Sequence, residues 1–398
     1  MSTNIGVGFN NNDDVFKAAR EATISAMTRL NQKSNNVDLA IVFASIEFSN
    51  PKAIRGINSV INARNLIGSS GAGIISPFGI ERRGIAIMLI SSDEIQFISA
   101  IQKPLSQSNL FNAGQNLANE CLEKAKASQR SMFIMFSDAK TANPTDILSG
   151  LKAIFGRSFP IFGSFATDNF CFKNSLVFYN NSIYADAAVG LLICSRILHF
   201  GKDSKHGWVP LGRMHEATSS SGNIINEIDN QPAFKVYEEY FDQAKKELQD
   251  NVLSHIAILY PLGIYLEAEK EYLLRNVLSL KADGSLFCQA DVPQGSQIKL
   301  MMGTKDKCIA ASTQAIWSAA DQVRTKKIIF ALIFNSLSRL KLLGRTIEDE
   351  FQSIKQQFGN TPFMGIFSFA EISPLKALDY MGESYIHNES FLALTFAT

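Results

Sequence analysis

Several polar residues follow apolar segments of the chain, where they could bind a small charged molecule. Backbone N–H groups in glycine turns and an arginine side chain suit a carboxylate, and a glutamate suits an ammonium group. Together, these groups predict a binding site for a small polar metabolite such as an amino acid. The alternative is that the glycines serve only turn geometry, and that the charged pair bonds to itself or to solvent. The residues are Gly68, Ser69, Ser70, Gly163, Ser164, Arg339 and Glu371.

The motifs of common enzyme classes do not occur in the sequence. Gly71-Ala72-Gly73 is not followed by the Gly-Lys-Ser/Thr of a phosphate loop, and there is no Gly-x-Ser-x-Gly or His-Glu-x-x-His. A serine nucleophile at Ser69, Ser70 or Ser336 would require a histidine base nearby in space. We therefore expect a ligand-binding protein rather than an enzyme, and turnover of a metabolite would overturn that expectation.

Composition narrows the classes of partner and the cellular compartment. The net charge is +1, and the basic stretches are short, so we expect no nucleic-acid partner. The N-terminus lacks the features of a signal peptide, and the apolar run 328–334 is too short to span a bilayer. The five cysteines form no Cys-x-x-Cys and predict reduced thiols. These features predict a cytoplasmic protein with no membrane partner.

One pattern occurs three times: an apolar strand, a helix, and a second apolar segment that contains a glycine. The copies run through 39–70, 132–164 and 329–367. Their first strands are continuously apolar, which is typical of strands covered on both faces. The pattern predicts an α/β fold with mixed sheets, two packed domains, and internal strand–helix–strand repeats in the N-terminal half.

Individual elements can also be predicted. Pro51 and Pro144 indicate helix starts, because the N–H that proline lacks would be unpaired there in any case. The segment 232–248 is predicted as a helix and 256–260 as a strand. The stretch 199–230, rich in Gly, Ser, His and charge, is expected to contain the domain boundary near its end.

The order of motifs in this stretch resembles the junction between the N- and C-terminal FIST domains. It includes Gly207-Trp208, Pro210 and Gly212, then Gly222-Asn223, and Pro232-Ala233 at a helix start. Similar matches occur at 68–74, 283–286, 292–296, 334–339, 365–372 and 387–390. The sequence departs from the family pattern at Asn230, Ser336 and Ala370. The resemblance implies an N-terminal FIST domain at 1–228, internally duplicated, and a C-terminal FIST domain at 229–398.

FIST domains are sensory input modules, so the resemblance implies a sensor without a fused output domain. The sequence is also similar to stand-alone FIST proteins that bind haem, sense nitric oxide and regulate a separate histidine kinase or cyclic-di-GMP enzyme. The resemblance thus implies haem as cofactor and such an enzyme as partner. The alternative is a sensor of a small polar metabolite, without haem.

Haem iron requires an axial ligand, most often histidine, in an apolar pocket. Three of the five histidines lie in the domain junction, and a cleft between domains is a favoured pocket position. His215 and His206 are the predicted iron ligands, with Trp208 and Met214 beside them. The alternative for each histidine is a surface or hydrogen-bonding role, and we expect such structural roles for His255 and His387.

Overall fold

The computed structural model describes residues 3–125, 129–139, 143–241, 255–268, 270–376 and 381–398. It confirms the predicted class, an α/β fold with mixed sheets. Three six-stranded sheets share a common core, and other strands form a four-stranded, a five-stranded and a two-stranded sheet. Each large sheet is built around one repeat of the chain.

The first repeat spans 3–92 and has the order strand, helix, strand, helix, then four strands. A two-stranded ribbon, β2–β4, is added at its edge. Its elements are β1 (Thr3–Asn10), α1 (Val15–Leu30), β2 (Asn36–Val37), β3 (Leu39–Ser45), a 3₁₀ turn (Ile46–Phe48), α2 (Pro51–Asn58), β4 (Asn62–Ala63), β5 (Leu66–Gly71), β6 (Ile74–Ser76), β7 (Gly79–Glu81) and β8 (Ile85–Ser92).

The second repeat spans 96–194 and has the same order of elements. They are β9 (Gln96–Gln102), α3 (Leu110–Lys124), β10 (Arg130–Asp138), α4 (Pro144–Phe155), β11 (Ile161–Ala166), β12 (Val177–Tyr179), β13 (Ser182–Tyr184) and β14 (Ala188–Cys194).

The third repeat starts at β15 (His199–Lys205) and is interrupted by residues 208–303, which we call the insertion. The insertion contains β16 (Trp208–Glu216), β17 (Ser219–Ser221), β18 (Ile224–Ile228), β19 (Gln231–Pro232), α5 (Lys235–Glu238), α6 (His255–Leu259), β20 (Leu262–Leu266), β21 (Glu271–Arg275), β22 (Val277–Leu280), β23 (Leu286–Cys288) and β24 (Gln297–Gly303). The repeat resumes with α7 (Lys305–Asp321), β25 (Ile328–Ser336), α8 (Leu337–Leu343), a 3₁₀ turn (Gly344–Thr346), α9 (Ile347–Phe358), β26 (Phe363–Ser368), β27 (Glu371–Lys376), β28 (Met381–His387) and β29 (Phe391–Ala397).

The three large sheets have equivalent strand orders. These are β1-β8-β3-β5-β12-β13, β9-β14-β10-β11-β27-β28 and β15-β29-β25-β26-β6-β7. In each sheet the pair that flanks the helix is parallel, namely β3–β5, β10–β11 and β25–β26, and the other pairs are antiparallel. We call the three repeats together the ring.

The hairpin that follows each parallel pair joins the sheet of a different repeat. The β6–β7 hairpin of the first repeat pairs with β26 of the third. The β12–β13 hairpin of the second repeat pairs with β5 of the first. The β27–β28 hairpin of the third repeat pairs with β11 of the second. The exchange closes on itself, so every sheet is completed by another repeat.

The inner faces of the three sheets meet in one apolar core. At its centre Phe43, Phe136 and Phe334 come from the equivalent strands β3, β10 and β25. Their ring centroids lie 5.6 Å (Phe43–Phe136), 6.2 Å (Phe43–Phe334) and 6.0 Å (Phe136–Phe334) apart. Aromatic pairs favour such tilted contacts. The continuously apolar strands of the sequence are thus covered by this core on one face and by helices on the other.

Both proline-initiated helices were predicted correctly, whereas a later strand prediction was wrong. Asn50 and Asn143 cap α2 and α4, and Pro51 and Pro144 occupy the first helical position. The segment predicted as strand 256–260 forms the short helix α6 instead. A five-residue apolar run has no periodicity that separates a strand from a buried helix.

The predicted helix 232–248 and the predicted domain boundary both fall in the insertion. Pro232 lies in β19, α5 covers only Lys235–Glu238, and residues 242–250 lie outside the described residues. The boundary at 228/229 falls in the turn between β18 and β19, which pair with each other. The hairpins β6–β7 and β27–β28 each cross from one predicted domain to the other.

Candidate functional site

A cavity of about 230 Å³ lies between the insertion and the ring. We call it the junction cavity. The ring walls lie at the ends of β10 and β11, and pockets in α/β sheets commonly lie beyond the carboxyl ends of strands. The ring contributes Ala139, Ala166, Thr167, Phe172, Asn174, Ser175 and Phe369, and the insertion contributes Leu278, Ser279 and Phe287.

The insertion wall contains an irregularity in strand pairing. Val277 pairs with Cys288 and Ser279 pairs with Phe287, so Leu278 is an extra residue in β22. Such bulges change the direction of a side chain and occur often beside binding sites. Leu278, Ser279 and Phe287 all line the cavity as a result of this local pairing.

The ring wall includes a loop that is held by one buried carboxylate. The Asp168 side chain is 2% exposed and accepts hydrogen bonds from the backbone N–H groups of Phe172 (2.6 Å), Lys173 (2.9 Å) and Asn174 (3.0 Å). Phe172 has a φ of 52°, which is unusual for a bulky residue. Asp168 therefore fixes a backbone conformation that places Phe172 against the edge of the Phe369 ring, 6.0 Å away between centroids.

We expect Asp168→Ala to destabilise the protein by about 2 kcal/mol, because backbone donors lose a charged acceptor. Hydrogen exchange of the amides of residues 172–174 should become faster. Urea unfolding and amide exchange measure the two effects, with the exposed Asp306→Ala as control. Unchanged exchange at 172–174 would contradict the anchoring role of Asp168.

Among the described residues of the cavity wall, all polar groups are uncharged. Thr167 donates its hydroxyl to the Asp168 carbonyl (3.1 Å), and Ser175 donates to the Asp138 carboxylate. The side chains of Asn174 and Ser279 make no hydrogen bond within the described residues. Those two side chains are available to a ligand, and the rest of the wall is mainly apolar.

The predicted glycine turns have structural functions. A Cβ on Gly68 would overlap the carbonyl oxygen of Val42, and one on Gly163 would overlap that of Met135. Ser70 donates to the Thr167 carbonyl (2.8 Å). The two glycines lie inside strands β5 and β11 and permit close packing of the parallel strands, so their structural role differs from the turn geometry considered from the sequence.

The hydroxyls of Ser69 and Ser164 are buried and have no hydrogen-bond partner in the part of the chain that the structure describes. The two serines are equivalent, because Ser69 pairs with Phe43 and Ser164 pairs with Phe136. Neither serine lines the junction cavity.

Arg339 is fully buried and forms an ion pair with Glu350, not with Glu371. Its guanidinium also donates to Asn335 Oδ1 (3.0 Å) and to the carbonyls of His206 (2.7 Å) and Cys308 (3.0 Å). These bonds use most of the five N–H donors of a guanidinium. Arg339 thus connects α8 to α9, to α7 and to the segment that enters the insertion.

Glu371 is also fully buried, at the start of β27. Its carboxylate accepts hydrogen bonds from Ser368 and Ser390, both 2.8 Å long. Burial raises the pKa of Glu371 to about 8, and the two serine hydroxyls oppose that rise. Glu371 lies opposite Ser164 in the strand register, so the structure brings these two predicted residues together.

His206, a predicted iron ligand, uses its ring for internal bonds. Its Nδ1 accepts the backbone N–H of Trp208 at 2.9 Å, and the ring also bonds the backbone of Tyr272. Burial lowers the pKa of His206 to about 4. Trp208 itself is buried, and its Nε1 donates to the Ile258 carbonyl at 3.0 Å. Both residues fix the entry to the insertion.

His215, the other predicted iron ligand, has one free ring nitrogen. Its Nδ1 bonds Asp229 Oδ2 at 2.8 Å, and its buried Nε2 has no partner among the described residues. The adjacent cavity is about 40 Å³ and is shared with Arg213, Lys235 and Glu239. Met214 is 36% exposed. Such a volume has room for little more than water.

Sequence reasoning did not find the residues of the junction cavity. Phe172, Leu278, Phe287 and Phe369 come from distant segments, and single phenylalanines in a chain with 29 of them carry no signal. The loop after Asp168 contains Asn169 and Asn174, and this local sequence feature could have indicated a turn.

Comparison with known proteins identifies the family. The model of the FIST N domain matches residues 38–231, and that of the FIST C domain matches residues 233–374. The chain therefore belongs to the FIST family, whose domains are sensory ligand-binding modules. The predicted family is confirmed, and membership of it supports the general role of sensor.

A curated relative is an uncharacterized protein, MJ1623, of Methanocaldococcus jannaschii. It is 22% identical over 284 residues, which cover 67% of this chain and 54% of the relative. The chain thus spans about half the length of that relative.

Solved structures give weaker matches. Two of them are cyanuric acid hydrolases. The hydrolase from A. caulinodans matches with a TM-score of 0.29 and 11% identity, over 49% of this chain and 71% of the hydrolase chain. The other, whose description mentions structural concatenation, matches with a TM-score of 0.39 and 6% identity, over 100% of both chains. T. maritima PurL complexed with ATP matches with a TM-score of 0.24 and 7% identity, over 100% of this chain and 72% of the PurL chain.

Two further observations concern the described residues as a whole. None of their helices combines the length and apolar character that crossing a membrane requires. They also contain no group of three or more His, Cys, Asp or Glu side chains arranged to hold a metal ion.

Proposed function

We propose that this FIST protein senses a small ligand in the junction cavity and passes the signal to a separate partner. One observation supports the proposal above others: the cavity walls come from both the insertion and the ring. A ligand that contacts both bodies stabilises one relative position of them, and a partner that binds that position reads the signal. As partner we propose a separate histidine kinase or cyclic-di-GMP enzyme, in line with the family resemblance.

A more specific form of this hypothesis is a haem protein that senses nitric oxide, but His206, His215 and His387 do not fit the role of iron ligand well. His206 has both sides of its ring bonded, and His215 faces a cavity of about 40 Å³. His387 is buried, with Nε2 2.9 Å from the Ser373 carbonyl. No histidine is among the described residues that line the junction cavity. The geometry therefore favours the alternative, a sensor without haem.

Benzene is a suitable first probe, because a cavity of about 150 Å³ with an apolar wall is enough to bind it. We expect benzene to raise the thermal unfolding temperature and to slow amide exchange at both 168–175 and 277–280. Leu278→Trp, which fills the cavity, should abolish both effects. Leu110→Trp on α3 is the matched control.

Haem is tested in parallel by reconstitution and by the visible spectrum of the ferrous protein with and without nitric oxide. We expect no stoichiometric Soret band that depends on His206 or His215. A band that shifts with nitric oxide and is lost in His215→Ala would restore the haem hypothesis. If benzene slowed amide exchange at 168–175 but not at 277–280, this result would contradict the proposed coupling between the insertion and the three repeats.

A further inference from the structure

Building on the proposed function, we infer that the junction cavity binds an uncharged, flat molecule of one or two rings with one hydrogen-bonding edge. The size of the cavity sets the first limit. At about 230 Å³ it exceeds the roughly 150 Å³ that holds benzene and lies below the roughly 300 Å³ at which drug-sized pockets start. A single substituted ring or two fused rings match this volume.

The shape of the ligand follows from the aromatic walls. Phe172 and Phe369 come from the three repeats, and Phe287 comes from the insertion. The interplanar angle of Phe172 and Phe369 is 69°, so the two phenyl groups present differently oriented surfaces to the cavity. Aromatic rings pack best against other flat rings, by offset stacking or edge contacts. A planar ligand can contact all three phenyl groups, and the contact with Phe287 includes the insertion in the binding.

The charge of the ligand follows from the chemistry of the wall. Every described residue that lines the cavity is uncharged. An ionised carboxylate or ammonium buried against this wall would lose several kcal/mol of hydration, which none of the described wall residues restores. The buried charges nearest in the chain are already bonded, since Asp168 accepts three backbone N–H groups and Asp138 accepts the Asp186 N–H at 2.7 Å. A free amino acid therefore does not match this cavity.

The polar edge of the ligand has two candidate partners. Asn174 belongs to the ring and Ser279 to the insertion, and both side chains lack internal hydrogen bonds within the described residues. An amide can donate and accept, and a hydroxyl can also do both. The wall thus suits a ligand edge with a single N–H, O–H or carbonyl group. A hydrogen bond to Ser279 would also attach the ligand to the insertion.

Three probes test this inference on the full chain by isothermal titration calorimetry: indole, naphthalene and indole-3-carboxylate. Indole has two flat rings and one N–H, naphthalene lacks the polar edge, and the third probe adds a charge. We expect indole and naphthalene to bind and indole-3-carboxylate to bind at least a hundredfold more weakly, the equivalent of about 2.8 kcal/mol. Leu278→Trp should remove binding of both neutral probes, and Leu110→Trp should leave it intact.

Removal of the polar edge provides a second, independent measurement. In Ser279→Ala or Asn174→Ala we expect indole to bind roughly three- to tenfold more weakly, the equivalent of one neutral hydrogen bond. Naphthalene should bind to these variants as it does to the parent protein. Because both substitutions are small and lie at partly or fully exposed positions, they should leave the fold unchanged.

The outcomes separate the ligand class from the proposed function. If indole-3-carboxylate binds as tightly as indole and Leu278→Trp blocks both, the inferred class is wrong and the cavity still serves as the site. If both alanine variants bind indole with unchanged affinity, the polar edge is wrong. If none of the probes binds, or Leu278→Trp leaves binding unaltered, the junction cavity itself is not the sensory site.

Discussion

Replacement of Glu389 by glutamine is expected to flatten the pH dependence of the free energy of unfolding. Glu389 lies in the turn between β28 and β29 and is fully buried. Its carboxyl oxygens and Asn276 Oδ1 have no hydrogen-bond partner of good geometry within the described residues, although the Asn276 and Ser338 side chains lie beside the carboxyl group and favour its charged form. Burial raises the pKa of Glu389 well above its usual range.

The sign of the effect follows from proton binding. An unfolded glutamate releases its proton near pH 4.3, whereas folded Glu389 retains it to a higher pH. Over that interval the unfolded chain binds fewer protons, so stability decreases as pH rises, by up to about 1.4 kcal/mol per pH unit. Glutamine has no proton to release, and Glu389→Gln should remove this contribution.

Urea unfolding at a series of pH values measures the slope. Exposed Glu123→Gln is the matched control, and Glu371→Gln separates the contribution of the second buried carboxyl group, with its pKa of about 8. A slope as steep as in the parent protein would contradict the prediction. Loss of stability at neutral pH would show that ionised Glu389 has a cationic partner. The charged or titratable groups that act on Glu389 are Glu371, Arg339 and Cys308.

Arg339→Met is expected to destabilise the protein by about 3–5 kcal/mol, since it leaves Glu350 buried without its cation. The double variant Arg339→Met/Glu350→Leu should recover a large part of that loss, because no unpaired charge remains. Arg324→Met is the matched control, as Arg324 pairs with Asp321 at an exposed position where such a pair contributes about 1 kcal/mol or less.

Urea unfolding of the three variants measures these differences. A cost for Arg339→Met no larger than that for Arg324→Met would show that the buried pair adds little to stability. It would also reopen Arg339 as a residue available to a ligand. A double variant as unstable as the single one would assign the loss to the carbonyls of His206 and Cys308 instead.

The secondary-structure elements that could be predicted from the sequence are those determined by neighbouring residues in the chain. Apolar runs such as 39–43 and 132–136 identified buried strands, and Pro51 and Pro144 identified helix starts. The exchange of hairpins was beyond reach, because Ile74–Ser76 carries no mark of its partner β26. Pairing of strands so far apart depends on the assembled core and not on local propensity.

The site was predicted less well than the fold. Gly163 and Ser164 were predicted in a glycine turn, whereas they lie inside strand β11, which leads to the cavity wall at Ala166 and Thr167. The sequence could not show whether Arg339 meets Glu350 or Glu371, because both acids lie in the same C-terminal region and only packing decides. The free Nε2 of His215 was compatible with iron, but the volume beside it depends on side chains that sequence does not place.

The exchange of hairpins between repeats has a consequence for biosynthesis. The β6–β7 hairpin at 74–81 leaves the ribosome early, whereas its partner β26 is made only when residues 363–368 are translated. Until then the edge of that hairpin is unpaired, and unpaired strand edges promote association with other chains. The three repeats can therefore close on one another only after residues 363–368 have been synthesised, and folding that waits for such distant contacts is expected to be slow.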